Sequence, residues 1–254
     1  MISDPWFYAA AVPAVILAGI SKGGLGGGGL AVMAVPLMSL IIAPPQAAAI
    51  MLPLLCGMDV LGLWVYRRAW SREAMKLILP AAAVGITMGA LFFRYLDAGV
   101  IKLIVGTIAV VFSANWWLNR KKSRPPAKPN TVKGGFWSAL AGFTSFVAHA
   151  GGPPLNVYLL PLAMEKSVYI GTCVIFFAAS NLLKIVPYAW LGQFTTENLL
   201  TSAVLAPLVP VGIGIGVWAQ RRINDRVFYG ICYSALIVMG VKLLYDGLKP
   251  LIVG

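Results

Sequence analysis

Long apolar runs separated by short polar or charged stretches make up most of this chain. Ten of the runs have helical lengths, and we predict helices over 5–21, 29–43, 46–66, 73–93, 98–118, 134–148, 154–164, 167–191, 198–220 and 226–248. Several of them approach or exceed the roughly 20 residues that an α-helix needs to cross a bilayer. The pattern therefore predicts an all-α, polytopic integral membrane protein.

Composition excludes an ordinary soluble domain. Of the 254 residues, 59% are hydrophobic and only 11% are charged, and the mean hydropathy is +0.84. A hydrolase would need a base–nucleophile pair or a metal cluster, but the chain has one histidine and no HExxH motif. The three cysteines lie in apolar segments without metal-ligand spacing. We therefore expect no enzyme activity, no metal and no cofactor.

The net charge of +12 has two interpretations, a nucleic-acid partner or the positive-inside rule of membrane proteins. With the helices alternating in direction, fourteen of the twenty basic residues fall on one face. We predict that this face is cytoplasmic and contacts anionic lipid, that both termini lie outside, and that no nucleic acid binds. Tyr66 and Tyr188, near predicted segment ends, are interpreted as interfacial anchors.

A basic segment containing three prolines, 119–133, divides the chain into two halves of similar length. We predict a first transmembrane repeat over 1–118, this segment as a cytoplasmic linker, and a second repeat over 134–254. Gly85 and Gly89 match Gly212 and Gly216 at a constant offset, and we assign all four to helix packing. Because the second repeat starts on the opposite side of the membrane, the repeats are expected to be inverted, each a broken hairpin followed by three transmembrane helices.

The two broken hairpins, 5–43 and 134–164, have tips rich in glycine and proline at 21–29 and 144–154. Interrupted apolar segments at corresponding places in two halves are typical of a transporter's binding site. Helix starts at such tips offer unpaired N–H groups to an anion. Two alternatives stay open: the glycines serve only close helix packing, or all ten helices span the membrane as thin, tilted segments.

Four ionisable residues are predicted at membrane depth, where a charged side chain is costly. Such residues are candidates for a functional role by default. Lys22 in the first tip either compensates an anion or snorkels to the interface, and His149 in the second tip either exchanges protons or is structural. Asp59 and Lys184 occupy nearly equivalent places in the two halves, and we predict a salt bridge between them. Asp59, His149 and Lys184 are the candidates for proton coupling.

Three motifs resemble the TauE/SafE family, also called TSUP permeases or sulfite exporters. They are Leu25–Gly29 followed by Pro36-Leu37, Ala150–Leu155 followed by Pro161-Leu162, and Gly171-Thr172 followed by Asn181. The resemblance implies transport of a small sulfur-containing anion across a bacterial cytoplasmic membrane. It also implies substrate-binding roles for Gly26, Gly27, Gly28, Gly29, Gly151, Gly152, Pro153, Thr172 and Asn181. Lys22 and His149 are added to this set on the argument from their own chemistry alone.

The membrane potential favours export of an anion from a negative cytoplasm, by roughly 2.3 kcal/mol per charge per 100 mV. We therefore predict export of sulfite or an organosulfonate by alternating access, with the anion held between the two tips. The alternatives are a proton-coupled importer of thiosulfate or a related compound, and a passive anion channel. The sequence does not indicate an oligomeric state.

Overall fold

The computed structural model describes residues 1–24, 31–93, 95, 97–119, 127–219 and 225–253. In these ranges the chain forms helices joined by turns and short loops, and no strand occurs. The predicted all-α class is therefore confirmed.

The described residues of the first half form five α-helices and one 3₁₀ turn. They are α1 (Pro5–Gly24), the turn Ala31–Met33, α2 (Ala34–Met38), α3 (Pro44–Tyr66), α4 (Arg72–Phe93) and α5 (Ala98–Asn119).

 The bounds of the second half are α6 (Thr131–Ala148), α7 (Gly152–Leu159) with the 3₁₀ turn Leu160–Leu162, α8 (Lys166–Trp190), α9 (Thr196–Leu205), α10 (Leu208–Ala219) and α11 (Asp225–Val253).

Local sequence signals explain where several helices begin. Pro44 and Pro45 open α3, where a missing N–H costs nothing because the first turn has no intrahelical acceptor for it. The Asn130 side chain accepts from the Lys133 N–H at the start of α6, and Thr195 does the same for Asn198 at the start of α9.

Among the described residues, five helices are long and apolar enough to cross a membrane, namely Pro5–Gly23, Pro44–Trp64, Arg72–Phe93, Gly99–Asn119 and Ser167–Trp190. The pair Thr196–Leu205 and Leu208–Trp218 passes the same test together but is bent by 44°. The prediction of one unbroken helix over 198–220 is therefore wrong. Pro207 lies at the break, and its ring and missing N–H oppose a continuous helix.

The fourth membrane segment of each half packs against the first helix of the other half. In the pair of α1 and α10, a Cβ added to Gly212 would lie 2.9 Å from the Ile16 carbonyl oxygen, and one on Gly216 would lie 2.6 Å from that of Ile20. Both helices advance by four residues between these contacts, so they run parallel. The backbones approach closely because neither glycine carries a side chain.

The equivalent contact joins α4 and α6. A Cβ on Gly85 would collide with the Ala139 carbonyl oxygen, and one on Gly89 would lie 3.0 Å from Phe146. These helices also run parallel, since the contacts advance in the same direction along both. The assignment of the four matched glycines to helix packing is therefore confirmed.

Equivalent helices of the two halves cross in opposite directions. Asp59 of α3 meets Asn181 of α8, whereas Gly62, further along α3, meets Val174, which is earlier in α8. In the same way Gly106 of α5 lies against Gly240 of α11, and Gly99 against Gly247. These antiparallel pairs are the arrangement that inverted repeats require.

The exact division into repeats and linker stays a prediction. Helix α6 begins at Thr131, inside the predicted linker 119–133, and residues 120–126 lie outside the described residues. The Ala127 N–H donates to the Pro161 carbonyl oxygen over 2.7 Å. The end of this segment is thereby attached to the second hairpin.

The main apolar core surrounds α3, whose residues 47–52 are all fully buried. Large apolar side chains are exposed on the outer faces of α4 and α8, among them Val84, Leu91, Val186 and Trp190. Contiguous exposed apolar surface is rare on soluble monomers and is expected where lipid replaces water. The functional candidates lie on the inner side of these helices.

Candidate functional site

The second hairpin turns at His149. Helix α6 ends because His149 adopts the left-handed conformation, with a φ of 52°. Its N–H donates to the Ser145 carbonyl oxygen and the Ala150 N–H donates to that of Thr144, which satisfies two carbonyls at the helix end. A Cβ on Gly151 would lie 2.7 Å from the Ala141 carbonyl oxygen, so the return of the chain requires glycine there.

Helix α7 starts at Gly152 and presents few backbone donors. Pro153 and Pro154 occupy its first turn and carry no N–H, and the Leu155 N–H donates to the Gly151 carbonyl oxygen. Gly151 and Gly152 are both buried at this tip. The predicted helix-start site therefore has the N–H groups of these two glycines at most, rather than a full first turn.

The first tip follows the last turn of α1, where Lys22 is located. The predicted binding residues Gly26, Gly27, Gly28 and Gly29 lie outside the described residues. Lys22 extends from α1 to α3 and forms an ion pair with Oδ1 of Asp59. Its ammonium also lies 5.9 Å from the centroid of the Phe177 ring on α8.

Asp59 accepts a second hydrogen bond at its other oxygen. The side-chain amide of Asn181 donates to Oδ2 over 2.6 Å. Asp59 is only 4% exposed, so both carboxylate oxygens are satisfied by protein groups in a place with little water. One carboxylate thus connects α1, α3 and α8.

The predicted salt bridge between Asp59 and Lys184 is wrong. Lys184 is fully buried, and its Nζ lies 3.1 Å from both the carbonyl oxygen and Oγ of Ser145 and 2.7 Å from Nδ1 of His149. The antiparallel crossing of α3 and α8 places Asn181 opposite Asp59, and Lys184 lies about one turn further along α8. Lys184 therefore reaches the second tip.

His149 links the second tip to the first half of the chain. Its Nε2 lies 2.9 Å from the Ala48 carbonyl oxygen on α3, which can only accept, so Nε2 carries the hydrogen. Nδ1 is then the acceptor for Lys184. With both ring nitrogens bonded and only 7% of its surface exposed, His149 is neutral and fixed in this arrangement.

Tyr188 is part of this cluster rather than an interfacial anchor, so its interpretation from the sequence is wrong. It is 1% exposed, its hydroxyl donates to the Phe146 carbonyl oxygen over 2.7 Å, and its ring stacks on His149. The sequence analysis missed Tyr188 and Ser145 as neighbours of the candidate site. The spacing of Asn181, Lys184 and Tyr188 puts all three on one face of a helix, and this signal would have found Tyr188.

Comparison with family models gives the decisive observation. The model described as "Sulfite exporter TauE/SafE" matches residues 11–243. The chain belongs to the TauE/SafE family. The comparison with curated proteins and the comparison with solved structures gave no match. As a TauE/SafE protein whose described part contains five or six helices of spanning length, it is a multi-pass membrane protein of a transporter family.

Thr172, one of the TauE/SafE motif residues, lies apart from the cluster. Its hydroxyl donates to the Val168 carbonyl oxygen over 2.7 Å and accepts from the Ser71 N–H over 2.9 Å. It is nine residues before Asn181, which corresponds to about 13 Å along a helix. Its neighbour Gly171 allows the Ala69 carbonyl to approach, since a Cβ there would collide with it.

The candidate site of this TauE/SafE protein contains two lysines and one carboxylate beside the neutral His149. Lys22 and Asp59 form an ion pair, and Lys184 has no carboxylate partner among the described residues. The undescribed tip 25–30 contains only leucine and glycine, so it adds no ionisable side chain. Within the described ranges, no group of three or more His, Cys, Asp or Glu side chains has metal-site geometry. The arrangement is suited to a small anion.

Proposed function

We propose that this protein exports a small sulfur-containing anion, sulfite or an organosulfonate, from a bacterial cytoplasm through the inner membrane. The anion binds between the two hairpin tips, and both termini lie outside. The observation that supports the proposal is the grouping of two lysines with a single carboxylate, Lys22, Lys184 and Asp59, where the ends of α1 and α6 approach α3 and α8.

The chemistry of the ligand matches this cluster. Sulfite and short sulfonates have little or no apolar surface, so they bind through N–H or O–H donors and compensating charge. Lys22, Asn181 and Lys184 supply such donors, and Gly151 and Gly152 add backbone N–H groups at the tip. A buried cation without a matching anion is costly, and a bound anion removes that cost.

The donors are occupied by internal acceptors in this conformation. Asp59 accepts from Lys22 and from Asn181, while Lys184 donates to Ser145 and His149. An arriving anion therefore exchanges with these acceptors as the tips move. Such an exchange between alternative partners accompanies a change of conformation, as alternating access requires.

A cavity of about 660 Å³ opens at the ends where α4, α6 and α8 begin, which we assign to the cytoplasmic side. Its lining includes Ser71, Lys76, Asn130, Tyr158 and Glu165. Thr172 is fully buried behind the lining residue Ser71, whose N–H donates to its hydroxyl. We interpret the cavity as the cytoplasmic mouth of the pathway.

Proton-coupled import of thiosulfate or a related compound is the second candidate. The observation that favours it is the position of Asp59, which holds both Lys22 and Asn181. A proton on Asp59 would release these two donors for the anion. Net flux under an imposed pH gradient separates the candidates, because import follows the proton gradient and export follows the membrane potential.

Transport by the purified protein in proteoliposomes tests the proposal. Vesicles loaded with unlabelled sulfite should accumulate labelled sulfite by counterflow, and the rate should saturate with concentration. Chloride should not replace sulfite. Unsaturable flux without counterflow would indicate a channel, and no flux of sulfite, methanesulfonate or thiosulfate would contradict the proposed function.

A further inference from the structure

We propose that Asp59 limits the bound ligand to one net negative charge, so that monovalent anions bind directly and divalent anions bind only together with one proton on Asp59. This inference rests on the proposed anion site and adds the rule by which that site selects charge.

The ligand-free cluster of Lys22, Asp59 and Lys184 has a net charge set by its three side chains. The rule takes Lys184 as an ammonium, whose three N–H groups match the three polar atoms around its Nζ, namely the carbonyl oxygen and Oγ of Ser145 and Nδ1 of His149. Lys22 is paired with Asp59 in an ion pair whose side chains are 10% and 5% exposed. Two ammonium groups and one carboxylate leave one positive charge away from water.

A ligand whose charge does not neutralise the cluster binds at a cost. A monovalent anion brings the cluster to neutrality, whereas a divalent anion leaves one uncompensated negative charge in a buried place. Such a charge is expensive at low dielectric, and ionisable groups respond by changing protonation. A divalent anion therefore favours the uptake of one proton.

Asp59 is the group that accepts this proton. Asp59 is the only buried carboxylate among the described residues. Lys22 of α1, Cys56 of α3 and Lys184 of α8 are titratable groups that interact with Asp59, and the tip residue His149 contacts Lys184. A proton on Nδ1 of His149 would face the Lys184 ammonium, which already occupies that nitrogen. The Cys56 thiol is neutral and has no negative charge to lose.

Protonation of Asp59 also frees donors for the ligand. A neutral carboxyl group no longer holds the Lys22 ammonium by charge, and the Asn181 amide can turn to the anion. The proton enters from the aqueous side with the divalent anion and leaves with it on the other side. The complex that crosses the membrane carries one negative charge in both cases.

Two probes of fixed valence test the rule, methanesulfonate with one charge and thiosulfate with two. Neither probe titrates near neutral pH. Methanesulfonate affinity of the purified wild-type protein, measured by calorimetry, should be independent of pH. Thiosulfate affinity should fall about tenfold for each unit of increasing pH, because one proton is bound with each thiosulfate.

Variants assign the proton. In Asp59→Asn, the cluster gains a second positive charge, and thiosulfate should bind without pH dependence. In the double variant Lys22→Gln/Asp59→Asn, only Lys184 is charged, so methanesulfonate should still bind and thiosulfate should be weak at every pH. Cys56→Ala, which keeps Asp59 and both lysines, is the matched control and should retain the wild-type pH slope.

A measurement on the wild-type protein alone decides the question even if a variant does not fold. The reversal potential in proteoliposomes gives the charge moved per anion, which should be one for both probes. Two charges per thiosulfate, pH-independent thiosulfate binding by the wild type, or a retained pH slope in Asp59→Asn would overturn the rule while leaving the anion site intact. Failure of both probes to bind at any pH would instead contradict the proposed function itself.

Discussion

Nζ of Lys184 lies 2.7 Å from Nδ1 of His149, and this contact attaches α8 to the tip of the second hairpin. The other two donors of the lysine go to Ser145, one turn before the tip. Lys184 thus fixes the position of the second hairpin tip relative to α8.

Replacing Lys184 with methionine should weaken anion binding. The variant keeps much of the side-chain volume but eliminates the excess positive charge, and we expect at least a tenfold loss of affinity, or about 1.4 kcal/mol. Calorimetry with methanesulfonate measures it. Lys242→Met is the matched control, because Lys242 is 53% exposed and pairs with Asp246 at the surface. Equal affinities for Lys184→Met and the wild type would show that the charge does not act on the ligand.

Lys22→Gln should destabilise the protein more than Lys22→Gln/Asp59→Asn does. The single change leaves Asp59 buried without its cation, and breaking a buried pair in this way costs about 3–5 kcal/mol. The second change removes the orphaned charge. Thermal unfolding in detergent measures the order of stability, and a double variant no more stable than the single one would contradict the ion pair.

Gly85→Ala should destabilise the bundle, because the new methyl group would collide with the Ala139 backbone in α6. Overpacking of this kind costs about 1–3 kcal/mol. Gly57→Ala in α3 is the control, since a Cβ there has no neighbour within 4 Å. The control should be neutral or more stable by up to about 1 kcal/mol, because alanine favours a helix over glycine. Similar melting temperatures for the two variants would refute the close crossing of α4 and α6.

Tyr188→Phe should lower stability by about 1–3 kcal/mol, because it leaves the buried Phe146 carbonyl oxygen near the end of α6 without its donor. Tyr245→Phe, at a side chain that is 64% exposed, should change stability by about 0.5 kcal/mol or less. The charge rule for ligands should be unchanged in both. Thermal unfolding and thiosulfate titration check the two expectations separately.

Thr172→Val should affect folding more than binding. The change removes the acceptor of the Ser71 N–H at the turn between α3 and α4, at a cost of about 1–3 kcal/mol. Anion affinity should stay within about threefold of the wild type, which is less than 1 kcal/mol. A loss of affinity comparable to that of Lys184→Met would show that Thr172 contributes to anion binding, as its motif implied.

Local signals along the chain were sufficient for much of the fold. Apolar runs predicted the membrane helices, Pro153 and Pro154 indicated the start of the return helix of the second hairpin, and paired glycines predicted close packing of α4 and α10. These features depend on neighbours within a few residues, so a single sequence contains them. The bend between α9 and α10 was missed because Pro80, inside the unbroken α4, and Pro207, at the break, look alike in sequence.

The sequence by itself was enough to predict that Lys22, Asp59, His149 and Lys184 lie within membrane segments, because apolar residues surround each of them. Only the tertiary structure decided their partners. Asp59 pairs with Lys22 because the end of α1 approaches α3, and Lys184 reaches His149 because α8 crosses α3 antiparallel. Such contacts depend on how helices far apart in the chain pack against each other. A shift of one helical turn along α8 is enough to give a side chain a different partner.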